Sequence, residues 1–349
     1  MCASSYYFYS DGVEVTGLRI HGGPDAHGVP LHDFSSNSNG CGPCPQALLA
    51  INSADPTTYP DSSYAALRAQ LASFHQVDVK RIVLAASASE FIFRITAMVA
   101  QSSKAAVWLP PHAYGDYAQA ALAYGLPVAA HAGAAQLVWS CDPSSPTGAA
   151  DAGLQDMTGA LKPPAIMVLD RAYEPLRLGA AITLTVAQLN AVWQLWTPNK
   201  ALGLTGVRAA YAIAPQQSPG TVAMEARCPS WPIGAHGVAM LQAWISPAAQ
   251  SWLAGSLSTL REWKARQIAL CESMGWTTLP SDANFFCAMP ALAPSLSLTD
   301  ALIRLRTQGV KLRDAASFGL PGYVRLGVLR PAAQDALHNA WLDIVKGHQ

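Results

Sequence analysis

Apolar and polar positions along this chain follow two alternating periods. Leu67, Leu71 and Phe74 recur at helical spacing and predict a helix over about 63–74. Ile82–Ala85 is an unbroken apolar run of buried-strand length. Further helices are expected over about 45–52, carried by Ala47, Leu48 and Ile51, and over 89–101 and 115–124. Strands are expected at 106–109, 165–169, 191–196 and 209–214. Such βα alternation implies a mainly parallel sheet covered on both faces. After the break at Pro229-Ser230-Trp231-Pro232, a long helical region runs from about 237 to 274, interrupted near Pro247. Strands near 284–288 and 323–328 with flanking helices then predict a smaller α/β domain. The expected organisation is an N-terminal arm (1–40), a large domain (41–235) and a small domain (236–349) that includes the interdomain helix.

Composition narrows the function classes. The 349 residues carry 22 acidic and 22 basic side chains, so no basic surplus marks a nucleic-acid surface. With 51% hydrophobic and only 13% charged residues, the chain is expected to bury surface against a partner copy as a homodimer. No apolar stretch reaches membrane-spanning length, and Met1-Cys2-Ala3-Ser4-Ser5-Tyr6 lacks the basic start and apolar core of a signal peptide, so a cytoplasmic location is expected. Seven cysteines without framework spacing are expected to be mostly free thiols. Cys41-Gly42-Pro43-Cys44 has the four-residue form of a redox site, but a polar, turn-rich segment precedes it where that fold needs a strand. No second cysteine or histidine pair completes a metal ligand set around it, and no metal is expected.

Candidate chemistry centres on Lys200, in Trp196-Thr197-Pro198-Asn199-Lys200, followed by glycines and by Arg208. An amine after a strand, with hydroxyl, glycine and arginine nearby, suits an aldehyde cofactor bearing a phosphate, pyridoxal 5'-phosphate (PLP). Ahead of it, Ala165–Leu169 ends in Asp170, a carboxylate at the edge where α/β sheets place ligands. There it would keep a pyridine nitrogen protonated. An ordinary turn or helix cap would also explain it.

In order, Ser145-Pro146-Thr147-Gly148, Asp170-Arg171-Ala172-Tyr173, Thr197-Pro198-Asn199-Lys200 and Arg208 resemble the markers of the class I/II (fold type I) PLP-dependent aminotransferase family. Tyr59-Pro60-Asp61, Ser87-Ala88-Ser89-Glu90, Tyr114-Gly115-Asp116-Tyr117, Leu312-Arg313-Asp314 and Tyr323-Val324-Arg325 extend the resemblance over most of the chain. It implies a catalytic set of Lys200, Asp170 and Tyr173. It also implies phosphate contacts from Ala88, Ser89, Thr197 and Arg208, stacking by Tyr114, and Tyr59 reaching the neighbouring subunit's cofactor. Arg325 would clamp a substrate carboxylate. Arg313 is a candidate for a second substrate anion or a structural surface arginine, and Asn39 is a further candidate at the substrate.

One departure is Ser145, where the family has an asparagine facing the cofactor's phenolic oxygen. A shorter hydroxyl there implies an altered protonation of the lysine–cofactor Schiff base. The activity implied is ping-pong transamination of an amino acid or amine, with Lys200 moving the α-proton. Within the family the chain resembles histidinol-phosphate aminotransferases and threonine-phosphate decarboxylases of cobalamin synthesis. The alternatives left open are such a decarboxylase and a PLP-binding protein without turnover. Trp231, Trp252, Trp263 and Trp276 are expected in the core or a dimer contact, and His21 and His112 are minor candidates beside the site.

Overall fold

The computed structural model describes residues 21–160, 164–180, 184–218 and 220–346, with the backbone of a short antiparallel hairpin at Tyr6–Phe8 and Glu14–Thr16. The first five residues of the opening hexapeptide and most of the arm before residue 21 lie outside the described residues.

A six-stranded sheet forms the larger layer. Its strands lie in the order Ile82–Ala85, Ala210–Ile213, Trp193–Trp196, Ile166–Asp170, Leu137–Cys141 and Val107–Trp108. Five run one way, and Ala210–Ile213 is antiparallel to both neighbours. The period-two rule explains the covering of both faces. Ile82, Leu84, Tyr211 and Ile213 enter one apolar cluster, and Val83, Ala85, Ala210 and Ala212 enter another. The first cluster continues into Phe285, Leu305, Val324, Leu337 and Trp341, so a single core joins the large sheet to the C-terminal elements.

Those elements are a four-stranded antiparallel sheet, ordered Thr277–Thr278, Phe285–Met289, Val324–Gly327 and Arg313–Asp314, backed by helices Leu298–Thr307 and Pro331–Lys346. The 27-residue helix Pro247–Ser273 runs beneath, starting with Pro247 after the Ser246 cap. Its buried Lys264 donates to the Ala283 carbonyl at 2.8 Å, and Gln267 donates to that of Gly327 at 3.0 Å.

Several local expectations needed correction. Leu137–Cys141 is an additional interior strand that periodicity does not predict, because Ser140 interrupts its apolar run although all five residues are buried. Ala191 closes helix Val186–Ala191 rather than opening the next strand at Trp193. The helix expected from residue 63 starts at Ala65, after Tyr64 in a left-handed conformation. Of the two places expected for Trp231, the core is ruled out: it is 46% exposed and stacked on the still more exposed Tyr59.

No helix among the described residues is long and apolar enough to cross a membrane. Nor do those residues gather three His, Cys, Asp or Glu side chains that could hold a metal ion.

Candidate active site

Strand register builds the site. Cys141, Asp170 and Leu195 stand side by side across three parallel strands. The loops that follow them, 142–151, 171–176 and 197–207, therefore leave the sheet along one edge, where open α/β sheets hold ligands.

Asp170 is the last residue of its strand and is 4% exposed. Burial pushes its carboxyl above the usual range, opposed by a 2.6 Å hydrogen bond from the Tyr117 hydroxyl, the Ala172 N–H at 2.9 Å and the charge of Lys200. Tyr117 is itself fully buried, stacked on Trp139 with centroids 4.2 Å apart. It is the contact the sequence reading passed over, although its place three residues after Tyr114 on one helix puts the two on one face. Their rings meet edge-on at 5.8 Å.

Lys200 projects its Nζ to 5.4 Å from the centroid of the Tyr173 ring. Its backbone is fixed by the Asn199 side chain, which accepts its N–H at 3.0 Å, and by the Asn39 N–H, which donates to its carbonyl at 2.9 Å. The loop then turns through Gly203 at φ +71°, where a Cβ would come within 2.9 Å of Gly42 Cα. Cys41–Cys44 is thus the backbone wall of the lysine loop, with the Cys44 N–H bonded to the Leu202 carbonyl at 2.8 Å. The six described cysteines are free thiols.

Thr197 is 4% exposed, and its hydroxyl oxygen is buried without any hydrogen-bond partner. Helix Ala88–Val99 opens with Ser87 accepting the Glu90 N–H at 3.1 Å. Ala88 and Ser89 occupy its first turn, and Ser89 Oγ lies 3.5 Å from the Tyr114 hydroxyl. Burial raises the Tyr114 phenol well above its ordinary range. Ser145 is buried in a loop closed by the Ser144 N–H to Ala149 carbonyl bond and the Gly148 N–H to Ser144 carbonyl bond, both 2.8 Å.

From the small sheet, Arg313 and Arg325 sit directly opposite each other on adjacent strands. Both guanidiniums lie over the Phe318 ring, at 4.7 and 5.4 Å. Arg325 donates to the Ser35 carbonyl at 2.9 Å, yet its buried Nε has no partner. Burial and the neighbouring Arg325 charge bring Arg313 down to about 10, a cost that a bound anion would relieve.

Not every expected residue converges here. The Asn39 side chain is committed to fastening: Nδ2 donates to the Ala201 carbonyl at 3.0 Å and to Ser256 Oγ at 2.9 Å, while Oδ1 accepts the Cys41 N–H at 3.0 Å. Asn37, two residues earlier, donates instead to the Tyr173 hydroxyl at 3.2 Å. Arg208 is exposed and lines a cleft of about 380 Å³ with Ile51, Val207 and His236; Asp170, Tyr173 and Lys200 do not line it. Tyr59 is 78% exposed against Trp231. His112 is bound to the Phe318 carbonyl at 2.9 Å, and the His21 ring stands 6.3 Å from that of Tyr114.

Residues 128–339 match the family model for aminotransferase class I and II. The chain belongs to that family. A histidinol-phosphate aminotransferase from Symbiobacterium thermophilum is 27% identical over 329 residues, covering 86% of this chain and 88% of the relative. Solved structures superpose on most of the chain. The histidinol-phosphate aminotransferase of Sinorhizobium meliloti, in complex with pyridoxal-5'-phosphate, has a TM-score of 0.77 at 21% identity, with 90% of each chain covered. An L-threonine-O-3-phosphate decarboxylase from Porphyromonas gingivalis has a TM-score of 0.69 at 20% identity, covering 86% of this chain and 92% of the other. The residues of this aminotransferase fit PLP on their own geometry. A buried hydroxyl without a partner at Thr197 suits a phosphate oxygen, and a buried carboxylate at Asp170 suits a ring N–H.

Proposed function

We propose that this aminotransferase uses PLP held at Lys200 to move an amino group from an amino acid or amine that also bears an anionic group, as in histidinol phosphate. The observation that carries the reading is the meeting of Lys200 Nζ, Tyr173 and the buried Asp170 at one sheet edge, beside the partnerless Thr197 hydroxyl. Bound there, PLP supplies an aldehyde for amine exchange and a ring that withdraws electrons from the substrate α-carbon.

The protein's part is to position groups and move protons. Asp170 keeps its negative charge against the ring nitrogen, and Tyr117 and Ala172 hold its two oxygens in place. Thr197 Oγ1, Ser89 and the first-turn N–H groups near Ala88 would hold the phosphate, and Arg208, which faces outward, would have to turn inward to join them. Tyr114 would pack against the cofactor ring, and Ser145 would offer it a hydroxyl. The amine of Lys200 would serve as the base that takes the proton from the substrate α-carbon. Arg325 and Arg313 grip the substrate anion, whether carboxylate or phosphate, with the planar guanidinium geometry suited to two parallel bonds.

The same reading includes a homodimer in the cytoplasm. The exposed Tyr59–Trp231 stack and the outward-facing Arg208 support completion of each site by a second copy, and the free thiols suit a reducing compartment. Incubation with histidinol phosphate and 2-oxoglutarate tests the reaction: glutamate should form, and borohydride should fix the cofactor to Lys200. Carbon dioxide released from L-threonine phosphate with no glutamate formed would overturn transamination in favour of decarboxylation.

A further inference from the structure

The segment before Asn39 contains a second asparagine that serves no fastening role through its side chain. Asn37 is 3% exposed, and the Asn284 Nδ2 holds its backbone carbonyl at 3.3 Å. Its own Nδ2 donates to the Tyr173 hydroxyl at 3.2 Å, while its Oδ1 is buried without a partner. Tyr173 is 6% exposed and its ring is wedged edge-on against Phe285 at 4.6 Å, so the phenol has little freedom to turn away. A phenol has one proton. Once its oxygen accepts from Asn37, that proton is left to donate elsewhere, and the amine of Lys200 stands over the face of the same ring, 5.4 Å from its centroid.

We propose that Asn37 is a positioning residue that acts through Tyr173, turning the phenol's proton toward the cofactor oxygen next to the Lys200 nitrogen. The inference rests on the PLP reading above. The cofactor's phenolic oxygen is ortho to its aldehyde, so a donor beside the lysine would come within reach of that oxygen when PLP is linked. The loop at 145 carries a serine in this chain, and Asn37 supplies a carboxamide to the Tyr173 hydroxyl. A donor on the phenolic oxygen draws off the negative charge that the linked nitrogen's proton leans on. That proton is therefore lost at lower pH. The charged and titratable groups around this point are Asp170 at its strand end, Tyr114 at the helix start and Arg325 beyond Phe285. All three are retained in the variants below.

The readout is the midpoint of the pH-dependent visible absorbance change of the PLP-loaded protein, without substrate. Asn37→Ala should raise it by about one unit, roughly tenfold in proton affinity. Asn37→Asp, nearly isosteric, should raise it further, because a carboxylate accepts the Tyr173 proton. Tyr173→Phe should raise it too, and adding Asn37→Ala to Tyr173→Phe should then change nothing more. A midpoint unmoved in both Asn37 variants, or an equal shift with and without the Tyr173 hydroxyl, overturns this inference and leaves the cofactor reading intact. A parent protein that takes up PLP with no visible band sinks both.

Discussion

Thr197→Val separates a hydroxyl kept for a ligand from one kept for the fold. In the folded chain Thr197 Oγ1 is buried and unpartnered, which costs about 1–3 kcal/mol relative to a methyl in the same place. Valine has nearly the same shape, so the cofactor-free protein should gain most of that amount. Unfolding entropy scales to about 0.7 kcal/mol per kelvin for 349 residues, so the gain corresponds to a rise in Tm of about 1.5–4 °C. With PLP the sign reverses. A hydroxyl donating to a phosphate oxygen is worth about 1.5–3 kcal/mol, and its loss should weaken cofactor binding about 10- to 100-fold. Thr197→Ser keeps the hydroxyl and should bind near the parent level. The assay is differential scanning fluorimetry of cofactor-free protein together with PLP titration by absorbance. A cofactor-free Thr197→Val that melts lower than the parent, or one that binds PLP as tightly, would refute the reasoning.

Three further perturbations test the surroundings of the site. Tyr117→Phe keeps the stack on Trp139 but removes the 2.6 Å bond to Asp170, so the already raised Asp170 carboxyl moves further up. A carboxyl raised in the folded state favours folding at low pH and loses that contribution as pH rises through its folded value. The variant should accordingly be less stable by about 1.5–3 kcal/mol at pH 8 and closer to the parent at pH 4, measured by urea denaturation without cofactor. His75, bonded to the Tyr211 hydroxyl at 2.9 Å, is held down to about 4 by burial and by Arg171, against 6.5 for a free imidazole. The unfolded chain protonates first, so stability should fall between pH 6.5 and 4 by up to about 3 kcal/mol from this group. His75→Gln should flatten that acid limb, and equal slopes in both proteins would count against it. Gly148 has φ +74°, and an added Cβ would lie 2.2 Å from Ser281 Oγ and 3.0 Å from the Phe285 carbonyl. Gly148→Ala should cost at least about 2 kcal/mol in thermal unfolding, and Ser281→Ala should recover only part of it because the carbonyl remains.

How much the sequence determined differs between elements and partnerships. The spacing of Leu67, Leu71 and Phe74, the apolar run 82–85 and the proline at 247 each specified a local element, because helix and strand periods are read from neighbouring residues. The ordered motifs likewise carried Asp170, Tyr173 and Lys200, since each lies within a few residues of its own turn. Strand 137–141 is hidden because burial on both faces removes the alternation that marks a strand, and the polar Ser140 interrupts the run. Partnerships across long chain separations were equally out of reach. Tyr117 meets Asp170 across 53 residues and Asn37 meets Tyr173 across 136, and Arg313 faces Arg325 only through the register of two antiparallel strands. Nothing near Asn39 in the chain distinguishes it from Asn37; the fold spends one on fastening the lysine loop and aims the other at Tyr173. The sequence by itself therefore determined the elements and the reactive residue types. Which side chains meet was decided only when sheet register and loop packing brought distant segments within hydrogen-bond reach, a distance no local pattern encodes.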